Sequence, residues 1–273
     1  MPVAGLFRRF VEGLIVGRRN SRPAQLLRRG AELVNRAYDN VGADFSENGE
    51  RALIERLSPA RFRVAFDVGA NIGDWAEMAA RCWPDVRVHA FEVAPATFGR
   101  LETVVAHSPS AGRILPHMIG LSDRDGTQDL YFYSEQPEVT CDRPRHHGPV
   151  ERFTGVVRRG DGYLRETGVT QIDFLKIDVE GMEPAVLNGF SHALASGAIR
   201  CVQFEYGAFS IDTRFLLKDF FDLLGTDYVI GKVLQRGVDF KAYDWTMEDF
   251  RFANFVAIRR DEPSVVELAR GVM

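Results

Sequence analysis

Residues 64–75 read Val64-Ala65-Phe66-Asp67-Val68-Gly69-Ala70-Asn71-Ile72-Gly73-Asp74-Trp75. A short apolar run ends at an acid, passes through a turn bearing Gly69 and Gly73, and enters a stretch with helical spacing, which is the order strand, turn, helix. Those glycines let the backbone turn tightly and approach a ligand closely. A dinucleotide fingerprint would read GxGxxG, with the following helix aimed at a pyrophosphate. This turn reads D-x-G-x-N-x-G instead. Asp67 would repel a phosphate but suits the ammonium group of a methionine-derived ligand, directly or through water, so spacing and charge favour S-adenosyl-L-methionine over NAD. Asp67, Gly69, Ala70, Asn71, Gly73 and Trp75 are the expected cradle.

Outward from this turn the chain alternates short apolar strands with helical stretches, the signature of βαβ units. Strands are expected near Arg63–Asp67, Val86–Glu92, Ile114–Ile119, Phe174–Asp178 and Cys201–Glu205. Helices are expected at Gly73–Cys82, Pro95–His107, Pro184–Ser196 and Phe215–Leu224. Tyr228–Leu234 and Ala253–Ile258 would close the domain as an antiparallel edge pair. The fold class is therefore α/β, a Rossmann-like, mostly parallel sheet with helices on both faces. Glu92 ends the second strand nineteen residues after Gly73. An acid there is placed to accept both ribose hydroxyls, with Val93 beside it.

The second chemical signal is Phe174-Leu-Lys-Ile-Asp178-Val-Glu180-Gly-Met-Glu183-Pro184, a buried strand ending in an acidic turn before a helix started by proline. Ligands of open α/β sheets bind outside the carboxyl ends of strands, so Asp178 and Glu180 are expected where a methyl acceptor meets the cofactor. Glu183 reads as a helix N-terminal charge. Residues 123–168 form a long insertion, of the kind that is usually a functional lid or a disordered loop, and carry Arg145, His146 and His147. Either histidine is an alternative general base near neutral pH, or the two are simply an exposed pair. Glu205, Tyr206 and Arg145 are candidate acceptor contacts. Asp178, Glu180 and Glu205 offer hard oxygen ligands that suit magnesium, although nothing in their spacing requires a divalent metal.

With these residues in view, FDVGANIG followed by LKIDVEGMEPAVLNG resembles the FkbM family of methyltransferases. The resemblance covers roughly Arg61 to Arg260. It implies a class I methyltransferase fold and transfer of a methyl group from S-adenosyl-L-methionine to a hydroxyl oxygen, often on a sugar, glycan or natural-product ring. It also implies that Leu121, Ser122 and Asp123 contact the adenine and that Asp178 lies at the cofactor. The sequence departs from the family ahead of the fourth strand, where Arg158-Arg-Gly-Asp161-Gly-Tyr163 replaces the usual Thr-Leu-Asp.

Residues 1–60 differ from the rest. Arginines at 8, 9, 18, 19, 22, 28, 29 and 36 sit among Leu6, Phe7, Phe10, Leu14, Ile15, Leu26, Leu27, Leu33 and Val34. This reads as two or three basic amphipathic helices, either a cap on the domain or, through residues 1–36, a peripheral membrane contact. The expected organisation is this segment, a methyltransferase domain over 61–262, and a tail over 263–273. The charge of -4 with a pI near 5.9 argues against a nucleic-acid partner. Cys82, Cys141 and Cys201 lack the spacing of a disulfide framework or zinc cluster, and Arg8, Arg9 and Glu12 interrupt any signal-peptide core, so a cytoplasmic location is expected, peripheral to the membrane if the N-terminal helices bind it. An NAD-dependent oxidoreductase and a non-catalytic S-adenosyl-ligand binder are the rival readings.

Overall fold

A computed structural model describes residues 2–42, 44–133, 135–144 and 148–272. Contacts divide the chain into Met1–Val41 and Gly42–Met273. The first unit holds α1 (Pro2–Ile15) and α2 (Arg22–Tyr38). Ser21 starts α2 by accepting a hydrogen bond from the Ala24 amide, and Pro23 sits in its first turn, where no amide is missed.

The second unit begins with α3 (Glu50–Arg56), followed by β1 (Val64–Val68), α4 (Asp74–Cys82), β2 (Arg87–Phe91), α5 (Pro95–His107) and β3 (Ile114–His117). The segment that follows holds β4 (Gly120–Ser122), β5 (Gly126–Tyr133), β6 (Gln136–Cys141), β7 (Val150–Arg159) and α6 (Gly160–Thr167). Then come β8 (Ile172–Ile177), α7 (Glu183–Gly189), α8 (Ser191–Ala195), β9 (Ile199–Tyr206), α9 (Phe209–Thr213), α10 (Leu217–Leu224), β10 (Tyr228–Leu234), β11 (Gly237–Phe240), β12 (Ala253–Arg259) and α11 (Pro263–Arg270).

The large sheet has the order β11-β10-β12-β9-β8-β1-β2-β3. β3, β2, β1, β8 and β9 are parallel, while β12 runs antiparallel between β9 and β10. This is the expected α/β class, a mostly parallel sheet with helices on both faces. Period-two alternation sends Phe66, Leu175, Val202 and Phe204 into one core with α6, α7, α8 and α10. Ala65, Phe174 and Cys201 enter the other with α3, α4, α5 and α11. Buried on both faces, these strands read as continuous apolar runs.

Three features differ from the sequence reading. The insertion after β3 is a second sheet, β4-β7-β5-β6, with β4 and β7 parallel and the other pairings antiparallel. β12 is not at the edge, because β10 pairs on its far side and the turn-rich stretch supplies the edge strand β11. The expected helix 184–196 breaks into α7 and α8 at Phe190, and Asp161 in the first turn of α6 accepts from the His192 and Ala193 amides at the start of α8. Within the second unit, Leu53, Ile54 and Leu57 of the α3 region are fully buried, and α11 buries Val265 and Ala269 in the same core.

Gly69 closes the first turn with φ +81°, and a Cβ there would stand 1.8 Å from the Asp178 carbonyl oxygen. Gly99 in α5 has open space around its Cα. Gly69→Ala is therefore expected to cost more than about 2 kcal/mol, combining the left-handed penalty with a backbone clash. Gly99→Ala should be neutral or stabilising by up to about 1 kcal/mol. Urea denaturation of both variants checks the difference, and equal midpoints would show that the turn tolerates a side chain.

Candidate functional site

The central strands carry a polar row through an apolar core. Asp67 on β1 is in register with Lys176 on β8, and Lys176 with Gln203 on β9, so the three side chains project from one face of the sheet. The Lys176 ammonium donates to Asp67 Oδ1 at 3.2 Å and to Asp178 Oδ2 at 3.1 Å. Burial opposes the charge on Lys176, but the Asp178, Asp67 and Glu50 carboxylates outweigh it and hold the ammonium above its ordinary pKa. Burial pushes Asp67 up to about 6 against the pull of the same ammonium. Gln203 Nε2 donates to Glu50 Oε2 at 2.5 Å, and Asn48 Nδ2 donates to Glu50 Oε1 at 2.6 Å, which brings α3 to the row.

The turn above β1 is laced to its neighbours. The Gly69 and Ala70 amides donate to the Phe91 carbonyl, and the Asp178 amide to the Val68 carbonyl. Asn71 adopts φ +47°, and its amide donates to Glu92 Oε2 at 3.1 Å. Glu92 Oε1 accepts from the Ala94 amide at 2.8 Å. Each oxygen retains a lone pair for a ligand hydroxyl. Burial, opposed by these amides, pushes Glu92 up to about 7.

The acidic turn after β8 is shaped by Glu183, whose Oε1 accepts from the Val179 and Gly181 amides. The helix N-terminal charge anticipated there is in place and folds the turn as well. Glu180 and Gly181 both take positive φ, +52° and +93°. A left-handed glutamate is an uncommon conformation, held by its surroundings. Ligand atoms of Asp178, Glu180 and Glu205 lie within 4.8 Å of one another. Glu205 is 4% exposed, and its Oε2 has no hydrogen-bond partner. Burial, then the carboxylates of Asp178, Glu180, Glu50 and Glu183, raise its pKa well above the ordinary value.

Both halves line one cavity of about 660 Å³. Gly69, Ala70, Asn71, Trp75, Glu92, Val93, Leu121, Ser122, Asp178, Glu180 and Glu205 all contribute to its wall. The second sheet supplies Gln128, Leu130, Thr140 and Val157, so the insertion walls the cavity. Several expected contacts fall elsewhere. Asp67 is fully buried, its Oδ1 accepts from the Lys176 ammonium, and it is not among the residues of the cavity wall. Gly73 serves the start of α4, where a Cβ would meet Leu101. Asp123 turns to Arg124 at the surface. The Tyr206 hydroxyl donates to Glu248 Oε2, which also accepts from the Leu217 amide at the start of α10. Arg145, His146 and His147 lie outside the described residues. Lys176 and Glu50 were missed: Lys176 sits in plain view in LKID, but no pattern in sequence signals a buried lysine, and Glu50 lies in the segment read as a separate appendage.

Known proteins resemble this chain in sequence. The 31-O-demethyl-FK506 methyltransferase FkbM of Streptomyces tacrolimicus is 31% identical over 159 residues, 48% of this chain and 60% of its own length. The hexuronic acid methyltransferase AglP of Haloferax volcanii is 32% identical over 157 residues, 57% of this chain and 62% of its own. The match thus spans less than two thirds of either relative. A solved methyltransferase FkbM from Methylobacillus flagellatus aligns at 18% identity over 72% of this chain and 44% of that one, with a TM-score of 0.47. Residues 67–229 match the family model described as the methyltransferase FkbM domain, running from the acid that ends β1 into β10 and taking in both site turns, and the chain belongs to that family.

Proposed function

We propose that this chain is an S-adenosyl-L-methionine-dependent O-methyltransferase acting on a hydroxyl of a sugar, glycan or natural-product acceptor. The observation that carries the reading is the single cavity in which the Gly69–Asn71 turn and Glu92 meet the carboxylates of Asp178, Glu180 and Glu205. The names of the two relatives, a hexuronic acid and a demethyl-FK506 methyltransferase, support that acceptor class. The residues fit the cofactor: Trp75 Nε1 is buried at the wall without a partner, and Glu92 has free lone pairs at the end of β2. Bound there, the cofactor supplies a methyl group already activated on a sulfonium. Glu92 accepts from the ribose hydroxyls, Leu121 and Ser122 flank the adenine, and Asp178 faces the methionine end. The acidic cluster takes charge of the acceptor's hydroxyl proton. Most of the rate enhancement then comes from holding oxygen and methyl in line, with modest assistance to proton removal.

Glu180→Gln is expected to lower turnover at least tenfold while leaving affinity for S-adenosylhomocysteine within a few-fold, since loss of a group that handles the proton typically costs ~10²–10⁴ in rate. Mass spectrometry of S-adenosylhomocysteine released with a panel of sugar and macrolide acceptors, together with calorimetry, checks both parts. Binding of NADH but of no S-adenosyl ligand would sink the reading. Binding without turnover on any acceptor would favour a non-catalytic S-adenosyl binder.

Glu92 also makes cofactor binding depend on pH. Its folded pKa of about 7 lies above the ordinary 4.5, so between these values the native state holds a proton that the unfolded chain has lost. The contribution of Glu92 to apo stability is therefore lost as pH rises from about 4.5 to 7. Ribose hydroxyls donate to the ionised form, so binding expels that proton. S-adenosylhomocysteine should bind with proton release at pH 6 and without it at pH 8.5, weakening by up to about tenfold per pH unit below 7. Calorimetry in buffers of different ionisation enthalpy measures this, and Glu92→Gln should abolish the release.

For the N-terminal unit we propose contact with an anionic lipid surface. Leu6, Phe7 and Phe10 on α1 and Leu26, Leu33 and Val34 on α2 are each about two thirds exposed or more. The arginines of residues 1–41 are opposed only by Glu12, Glu32 and Asp39. Exposed apolar groups amid arginines suit a headgroup region, and no described helix is long and apolar enough to cross a membrane. Deleting residues 1–36, or combining Phe7→Ser with Phe10→Ser, should reduce sedimentation with phosphatidylglycerol vesicles several-fold with little change in melting temperature. Equal sedimentation with a large fall in melting temperature would identify a structural cap instead.

A further inference from the structure

Glu205 presents an electrostatic problem that the protein does not solve with its own groups. It sits near the end of β9, 4% exposed, at the cavity wall. No donor reaches its Oε2, and the charged groups acting on it are the carboxylates of Asp178, Glu180, Glu50 and Glu183. Lys176, the buried ammonium beside this cluster, is committed to Asp67 and Asp178. A buried carboxylate with no donor is costly unless it takes up a proton or a cation.

We propose that Asp178, Glu180 and Glu205 bind one divalent cation of the magnesium or manganese type, on which the acceptor hydroxyl is placed. Three independent observations agree. The ligand atoms lie within 4.8 Å of one another, and trans oxygens of a six-coordinate ion with metal–oxygen distances of about 2.1–2.4 Å are about 4.2–4.8 Å apart. The donors are all carboxylate oxygens, which select hard cations over zinc or copper. The left-handed conformation at Glu180 belongs to a turn built by Glu183, an arrangement that keeps Asp178 and Glu180 on one side of the cavity with Glu205. Three protein ligands leave positions for water and one acceptor oxygen.

This second part rests on the methyl-transfer reading above. The cation lowers the pKa of the coordinated hydroxyl, the O–H bond breaks with its proton passing to solvent, and the oxygen lone pair forms a bond to the methyl carbon. The carbon–sulfur bond breaks with its electron pair returning to sulfur, leaving a neutral thioether, a methyl ether and one released proton.

The test uses the full chain, freed of metal with EDTA and exchanged into clean buffer, titrated with MnCl₂ and followed by the electron paramagnetic resonance of free Mn²⁺. One Mn²⁺ per chain is expected, with affinity falling at least about tenfold in Glu205→Gln and in Glu180→Gln, each checked for an unchanged melting profile. Asp129→Asn, a surface acid paired with Arg152, should bind like wild type. Failure of wild type to bind up to millimolar Mn²⁺, or equal binding by both glutamine variants, overturns the proposal. S-adenosylhomocysteine calorimetry on the same samples separates the two ideas: loss of that binding sinks the cofactor reading and leaves the metal result standing.

Discussion

A single buried ammonium sits where the carboxylates of this domain converge. Lys176 projects from β8, between β9 and β1 in the parallel part of the sheet, with Asp67 on the neighbouring strand and Asp178 at its own strand's end. Removing one partner of such a group would leave an uncompensated charge in the core, so the arrangement is self-enforcing. It also orients Asp178 at the mouth of the cavity and holds the ends of β1 and β8 in the register that the Gly69 turn requires. The ammonium balances part of the surrounding acid, and the imbalance that remains is concentrated at Glu205.

The two sides of the cavity have different physical origins. One is the parallel sheet, whose strand ends supply Gly69, Glu92, Asp178 and Glu205 at fixed spacing. The other is the small mixed sheet inserted after β3, which adds Gln128, Leu130 and Thr140. Gly189 joins the layers: a Cβ there would stand 2.0 Å from the Ser122 carbonyl, so α7 and β4 approach at backbone distance. A scaffold with a rigid cofactor wall and a separately built second wall can change acceptors without disturbing the first, in keeping with function residing in sites grafted on folds.

Local chemistry explains what could be read in advance. The strand–turn–helix at residues 64–75 and the acidic turn at 178–183 are encoded within a few residues of each other. Glycines, a proline and alternating apolar residues have conformational meaning on that scale. Glu92 was legible for the same reason, as an acid at a strand end. Neither spacing nor charge around Asp67 reveals that Lys176, on the neighbouring strand, is paired with it. The second sheet was missed because Gly126–Tyr133 opens with four residues that offer no apolar alternation and Val150–Arg159 carries four charged residues.

By itself, then, the amino-acid order determined the α/β alternation, the cofactor turn, the strand-end acids and the family, because each is written in contiguous residues. Tertiary structure alone decided which of these side chains face a common cavity. Lys176 reaches Asp67 across 109 positions and Gln203 reaches Glu50 across 153. Contacts of that range are set by sheet register and helix packing, and they leave no periodic trace in the chain. Whether a carboxylate is a ligand contact, a buried counter-ion or a group in want of a cation depends on what burial and register put beside it.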